Sequence, residues 1–240
     1  MKRAIMYSLI FLGIQCISSV LLVLNITNLL VATALAGLVT IILFLVMKWT
    51  VVTRHWVQTR PWFVLFWCVL ASLGLLVPST WLQELMPALP NVAEEAFDLI
   101  MKDRWGYFIV GLMAPLGEEM VFRGAVLKSL LQWKPNPWIG IVISAALFAL
   151  VHMNPAQMPH AFLVGLLLGW MYYRTDSIIP GVVYHWVNNT VAYVMYNLYP
   201  DPDITLVDLF GSERTVLMAL VFSLCIFLPS LYQLNLRLKK

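Results

Sequence analysis

The chain has 240 residues, of which 61% are hydrophobic and 11% are charged, and its mean hydropathy is +0.84. A soluble domain carries about 25% charged residues, so this composition excludes an ordinary soluble protein and indicates a polytopic membrane protein. The formal net charge is only +3, without the basic face that nucleic-acid binding requires, so we expect no nucleic-acid partner.

Eight apolar segments are candidates to cross a bilayer, for which a helix needs about 20 residues. In chain order they cover residues 4–24, 28–47, 61–80, 105–131, 138–153, 160–174, 178–198 and 214–235. The fifth and sixth are short and could instead meet at a re-entrant turn near Asn154 and Pro155. Residues 81–104 are too polar to cross, and their helical apolar spacing predicts an amphipathic helix in the interface.

Lys and Arg positions predict which side of the membrane each loop occupies. With eight crossings and both termini in the cytoplasm, eleven of the fifteen Lys and Arg residues fall on the cytoplasmic side. These include Arg54, Arg60, Lys239 and Lys240, whereas the opposite loops collect acidic residues such as Asp203. We find no internal repeat and no linker, so we expect one all-α helical bundle, a single integral membrane domain over residues 1–240.

Side chains capable of chemistry concentrate in spans four to seven. They are Glu118, Glu119, Arg123, His152, His185, Asn188 and Asn189. An ionisable side chain at the bilayer centre costs at least about 2.5–3.5 kcal/mol on insertion scales, so such a group requires a reason. The other four spans have no charged residue or histidine in their interiors. This distribution predicts a polar cavity enclosed by a four-helix core over residues 105–198.

Helical spacing separates the three charges of the fourth span. Glu119 and Arg123 are four residues apart on one face and are expected to form an ion pair. Glu118 is rotated by about 100° from Glu119 and is therefore expected to meet a different partner. Taken alone, a Glu119–Arg123 pair is more often a structural clamp than a catalytic pair.

One carboxylate, two imidazoles and a carboxamide make a hydrolytic set. A buried Glu can act as general base on a water, a His can orient that water, and His with Asn can donate to an oxyanion. Glu118, His152 and His185 could instead hold a divalent metal such as zinc, since imidazole and carboxylate are ordinary zinc ligands. For His160, which follows Pro159, and for the Gly165–Gly169 spacing, helix packing is the simpler interpretation.

Three motifs follow one another along the predicted core. They are Glu118-Glu119-x-x-x-Arg123, Phe148-x-x-x-His152 and His185-x-x-x-Asn189. In this order they resemble the signature motifs of the CPBP (CAAX protease and bacteriocin-processing, or Abi) intramembrane proteases, which include type II CAAX prenyl endopeptidases. The resemblance covers about residues 105–198.

The resemblance implies a role for each motif position. Glu118 would be the catalytic glutamate that activates water, with His152 holding that water, and His185 with Asn189 would form the oxyanion site. The supporting residues would be Glu119, Arg123 and Phe148. Such enzymes are described both as metalloproteases and as metal-free glutamate proteases, and the spacing favours neither.

The resemblance also implies an activity and a location. The expected function is endoproteolysis of a membrane-associated peptide or protein, of lipidated CAAX-like, pheromone or bacteriocin type, within the lipid bilayer. Short loops and the lack of a targeting extension favour a bacterial inner membrane. A non-catalytic immunity or scaffold protein that binds a peptide or partner in the same cavity is the main alternative, and a proton-coupled transporter is disfavoured because no repeat relates the two halves.

Overall fold

Helices occupy all eight segments that hydropathy predicts as membrane spans. The structure, a computed structural model, describes residues 1–53, 61–199, 201 and 204–238. Within these ranges no β-strand occurs, so the all-α prediction is confirmed for them. Some of the charged residues that predict the side of each loop lie outside the described residues, namely Arg54, Arg60, Asp203, Lys239 and Lys240.

The first half of the chain forms four helices. They are α1 (Lys2–Val23), α2 (Leu29–Val46), α3 (Pro61–Glu84) and α4 (Glu94–Lys102). Asn28 caps α2, because its side-chain oxygen accepts a hydrogen bond of 2.9 Å from the Val31 N–H. Helix α4 is the amphipathic helix expected between the third and fourth spans. Acidic residues stand in its first turn and Lys102 in its last, the arrangement that complements the helix dipole.

The fourth predicted span is one long helix, α5 (residues 108–131), whose winding changes along its length. Two π-helical stretches, Phe108–Met113 and Met120–Leu127, flank the α-helical segment Ala114–Glu119. Wider π-helical turns interrupt α-helices chiefly at functional sites. Side chains from outside α5 support the second stretch: the Thr50 hydroxyl, after the end of α2, donates to the Met120 carbonyl, and the Ser144 hydroxyl of the helix after α5 donates to the Phe122 carbonyl.

Five more helices complete the chain. They are α6 (Pro137–Leu150), α7 (Met158–Thr175), α8 (Ile179–Leu198), α9 (Leu206–Phe210) and α10 (Glu213–Arg237). Of the helices in the described ranges, four are long and apolar enough to span a membrane: α1, α2, α3 and α10. Helix α6 is a shorter apolar helix. The count of eight crossings and the cytoplasmic location of both termini stay predictions.

We distinguish two groups of helices in the bundle. The shell consists of α1, α2, α3 and α10, which expose many large apolar side chains, as a surface in contact with lipid does. The core consists of α5, α6, α7 and α8. Close approach of α6 and α7 depends on Gly165 and Gly169, as their spacing predicted. A Cβ atom at Gly165 would lie 3.0 Å from the Ala145 Cβ, and one at Gly169 would lie 3.0 Å from the Ile141 side chain.

Candidate active site

A buried ion pair between Glu119 and Arg123 forms the base of the site, as the four-residue spacing predicted. Arg123 Nη1 lies 2.7 Å from Glu119 Oε1, and the two side chains are 1% and 0% exposed. The Arg123 Nη2 group donates to the Gly165 carbonyl at 3.2 Å, and the guanidinium lies 4.3 Å from the centroid of the Phe148 ring. These contacts compensate charges that would be costly to bury alone.

His185 contacts both carboxylates of the first motif. Its Nδ1 lies 3.2 Å from Glu119 Oε1, and its Nε2 lies 3.8 Å from Glu118 Oε2. Because a carboxylate accepts, the shorter contact places a proton on Nδ1 and turns Nε2 toward Glu118. The longer contact exceeds a direct hydrogen bond and leaves room for a bridging water.

The two neighbouring carboxylates differ in their access to water. The Glu118 side chain is 22% exposed, whereas the Glu119 side chain is fully buried. As expected, the Glu118 and Glu119 side chains point in different directions. The Glu119–Arg123 ion pair is not separate from the histidine site, however. His185 joins the two because it comes from α8, and spacing within α5 carries no information about a neighbouring helix.

Phe148 stands between the two imidazoles of the motifs. Its ring centroid lies 4.9 Å from that of His152 and 5.7 Å from that of His185, with interplanar angles of 89° and 88°. The His152 Nδ1–H donates to the Phe148 carbonyl at 2.7 Å, and so Nε2 remains for a water or a substrate. In the described part of the chain, the two imidazoles thus meet through this ring rather than by a direct hydrogen bond.

Asn189 is engaged with α5 rather than with His185. Its Nδ2 donates to the Val110 carbonyl at 2.9 Å, and its Oδ1 accepts from Asn188 Nδ2 at 3.4 Å. A carboxamide carries two N–H donors, so one remains for a ligand. The structure therefore places this predicted oxyanion donor at the edge of the site, close to the first π-helical stretch.

The local sequence of α5 explains why Val110 needs a donor from another helix. The Ala114 N–H, which an α-helix would direct to Val110, donates to the Ile109 carbonyl instead. The next residue along is Pro115, which has no N–H to donate. Because a buried carbonyl requires a partner, Asn189 supplies one from α8. Pro115 is the sequence signal that could have predicted this contact.

His160, which the sequence predicts as a hydrogen-bonded residue in helix packing, also belongs to the polar network. Its Nε2 lies 3.2 Å from Asn188 Oδ1, and because an amide oxygen accepts, His160 is the donor. Donation then runs from His160 to Asn188, from Asn188 to Asn189, and from Asn189 to Val110. Three helices contribute to this chain, so no spacing within one helix could reveal it.

Gly181 allows α8 to approach the buried carboxylate. A Cβ atom at this position would lie 2.8 Å from Glu119 Oε2. Within the described residues, that oxygen has no hydrogen-bond partner. A glycine is thus needed where the two helices are closest, and sequence reasoning did not single it out.

The described residues do not fit the metal site that the motifs could have formed. Across residues 1–53, 61–199, 201 and 204–238, no group of three His, Cys, Asp or Glu side chains is placed to hold a metal ion. Glu118 and His185 face each other, but His152 directs its Nδ1–H to a backbone carbonyl behind the Phe148 ring. We derive no step through a metal.

Comparisons with known proteins agree with the three motifs. Residues 101–191 match the family model described as Type II CAAX prenyl endopeptidase Rce1-like, which confirms the predicted resemblance over that segment. The UPF0177 protein YxdF of Lactococcus lactis subsp. lactis (strain IL1403) is 29% identical over 79 residues, which are 32% of this chain and 42% of that protein. The alignment thus spans less than half of the relative's length. No solved structure matches the chain.

Proposed function

We propose that the chain is an intramembrane endopeptidase in which Glu118 activates the attacking water. The observation that carries this proposal is the position of His185, held by the buried Glu119 at 3.2 Å and directed toward the partly exposed Glu118 at 3.8 Å. The match of residues 101–191 to a family of CAAX prenyl endopeptidases supports the same reaction class.

In the proposed reaction, water adds to the carbonyl carbon of the scissile peptide bond. The Glu118 carboxylate accepts a proton from the water as its oxygen bonds to that carbon. His152 Nε2 accepts a hydrogen bond from the same water and orients it. The electron pair of the carbonyl moves to its oxygen, which becomes an oxyanion.

Two side chains of α8 stabilise that oxyanion in the proposal. The remaining N–H of Asn189 donates to it, and so does the Nε2–H of a His185 ring that carries protons on both nitrogens throughout the reaction. When the intermediate collapses, the C–N bond breaks and the proton held by Glu118 passes to the leaving amine. Glu119 and Arg123 act indirectly, because the first fixes the His185 ring and the second holds Glu119 in place through the ion pair.

The substrate class follows from the location of the site in a membrane bundle. We propose a membrane-associated peptide or protein tail, of lipidated CAAX-like, pheromone or bacteriocin type. The integral membrane character rests on the family match and the apolar helices. A bacterial cell membrane is the proposed location, which the bacterial source of the relative supports.

A cleavage assay in proteoliposomes tests the proposal. The purified chain is incubated with lipidated CAAX-like and unlipidated peptides, and products are identified by mass spectrometry. We expect Glu118→Ala, His152→Ala and His185→Ala to abolish cleavage, whereas Glu95→Ala in the exposed first turn of α4 keeps it. Full activity of Glu118→Ala contradicts the proposal, and peptide retention without any product would favour the non-catalytic immunity or scaffold alternative.

A further inference from the structure

A second polar feature lies at the opposite end of α5 from the π-helical stretch that binds Asn189. It is a cavity of about 360 Å³ between the end of α5, the start of α6 and the end of α7. Its polar lining includes Thr53, Lys128, Gln132, Lys134, Tyr173 and Asp176. Lys128 follows Glu118 by ten residues, which is about 15 Å along a helix, so this cavity is separate from the candidate active site.

The charge of this cavity favours an anion. Two lysines line it, against one carboxylate, that of Asp176. Among the residues that the structure describes, neither Lys128 nor Lys134 lies within ion-pair distance of a carboxylate. Two like charges on the lining of one small cavity favour a bound anion that offsets them.

The aromatic residues beside the cavity indicate its depth in the membrane. Trp133 and Trp138, which are 41% and 54% exposed, flank the loop that carries Lys134. The Lys134 Nζ lies 4.6 Å from the centroid of the Trp133 ring. Exposed tryptophans at helix ends are typical of the membrane–water interface, which is also the level of the lipid headgroups.

We propose that the cavity binds the phosphate group of an anionic phospholipid, with Lys128 and Lys134 as its charged partners. Its volume is near the lower limit for ligand pockets, about 300 Å³, so it suits a headgroup whose acyl chains stay in the bilayer. Basic pockets between helices on the cytoplasmic side are typical sites for such headgroups. This proposal is independent of the proposed peptidase activity.

Lipid titration of the full chain in neutral detergent tests the site. Short-chain phosphatidylglycerol, phosphatidylcholine with the same chains, and inorganic phosphate are added separately, and Tm is followed to obtain an apparent Kd for each. We expect phosphatidylglycerol to raise Tm more than the other two. In Lys128→Gln/Lys134→Gln the affinity for phosphatidylglycerol should fall roughly 30-fold, since each lysine near the surface contributes about a factor of five.

The matched control is Lys2→Gln/Arg3→Gln, which removes the same charge from exposed positions on the same predicted side. It should keep the affinity for phosphatidylglycerol. The proposal is overturned if both double variants lose affinity for phosphatidylglycerol equally, or if the lysine variant loses none. The lipid assignment is also overturned if inorganic phosphate raises Tm as much as phosphatidylglycerol does and the lysine variant abolishes that rise. If the lysine variant does not fold, the loop substitution Lys134→Gln alone must weaken phosphatidylglycerol binding at least several-fold.

Discussion

The shell and the core of this bundle are both built from apolar helices but are held together differently. In the shell, Gly74 of α3 packs against the backbone of Phe227 in α10, and the helix interiors carry no charge. In the core, the buried side chains of Glu119, Arg123 and His185 pair with one another, although Glu119 Oε2 and Arg123 Nε have no hydrogen-bond partner within the described residues. The shell therefore depends mainly on close contact, whereas the core also depends on the pairing of groups that are costly to bury singly.

Removing Arg123 should break the core most severely. Arg123→Ala leaves the Glu119 carboxyl group without its charged partner in a site with no access to water, and removal of one partner of a buried pair costs about 3–5 kcal/mol. We expect a large drop in Tm in detergent, together with loss of cleavage. Glu119→Leu/Arg123→Met, which removes both charges, should recover much of the stability but none of the activity.

Arg174→Ala is the matched control for that experiment. Arg174 of α7 donates to the Asn235 backbone carbonyl at 2.8 Å and to the Asn235 side chain, close to the end of the bundle. Its loss should lower Tm much less, because solvent is available to the groups that it leaves. Similar drops for Arg123→Ala and Arg174→Ala would contradict the importance assigned to buried pairing.

The same small substitution in shell and core should separate packing from chemistry. At Gly74 an added methyl would lie 2.7 Å from the Phe227 backbone nitrogen, and at Gly181 it would lie 2.8 Å from Glu119 Oε2. Overpacking of this kind costs typically about 1–3 kcal/mol. We expect Gly74→Ala and Gly181→Ala both to lower Tm. Only Gly181→Ala should also lower kcat per folded molecule.

Gly13→Ala serves as the neutral comparison, because a methyl group there meets no atom within 4 Å. Its kcat should match that of the wild type, and its Tm should be no lower, since Ala favours a helix interior over Gly. If Gly74→Ala loses as much kcat per folded molecule as Gly181→Ala, the contact between Gly181 and Glu119 has no special role.

Sequence patterns predicted the helices and the intrahelical contacts well, for a physical reason. The lipid environment requires long apolar segments, so the prediction of 28–47 and the observed Leu29–Val46 differ by one residue at each end. The Glu119–Arg123 pair follows from the pitch of a single helix. Both results depend only on residues close together in the chain.

Contacts between helices could not be predicted in the same way. That His185 reaches both Glu118 and Glu119 depends on how α8 lies against α5, which the periodicity of neither helix determines. The π-helical winding of α5 was also missed, although Pro115 was a signal for an unsatisfied carbonyl at Val110. The hydrogen-bond partner of His160 could not be predicted, because Asn188 lies 28 residues away in the chain.

A smaller effect on kcat should follow from interrupting the series of hydrogen bonds that runs from His160 through Asn188 to Asn189. In the proposed reaction Asn189 donates to the oxyanion, and His160 positions it through Asn188. His160→Ala removes one indirect hydrogen bond worth about 1 kcal/mol, so kcat should fall about fivefold while KM stays unchanged. His160→Gln, which keeps a donor, should restore part of kcat. A change in Tm with unaltered kcat would leave His160 a packing residue only.

The smallest effect concerns α4, which lies outside the core. Asp98 forms an ion pair with Lys102 at 2.6 Å and accepts a hydrogen bond from the Tyr196 hydroxyl of α8. The Lys102 ammonium and then the Tyr196 hydroxyl lower the pKa of Asp98 below its ordinary value. A carboxyl with a lowered pKa stabilises the folded state above its unfolded pKa of about 3.9, and this contribution disappears as pH falls through the lower folded value.

Hydrogen exchange of the α4 amides measures this contact. Protection should be constant between pH 7 and about pH 5, after correction for the intrinsic exchange rate, and should fall only in stronger acid. Asp98→Asn should reduce protection of α4 at pH 7 without changing kcat. Unchanged protection in that variant would show that Tyr196 does not hold α4 through Asp98.

In the proposed reaction the partly exposed Glu118 activates water, while its buried neighbour Glu119 supports the structure of the site. The most direct measurement is the turnover of Glu118→Gln and Glu119→Gln in proteoliposomes, with Tm recorded on the same preparations. Glu118→Gln should keep the wild-type Tm and lose activity by at least roughly 100-fold, the usual contribution of a general base. Glu119→Gln should lose both. Turnover by Glu118→Gln at the wild-type rate would contradict the proposed role of Glu118.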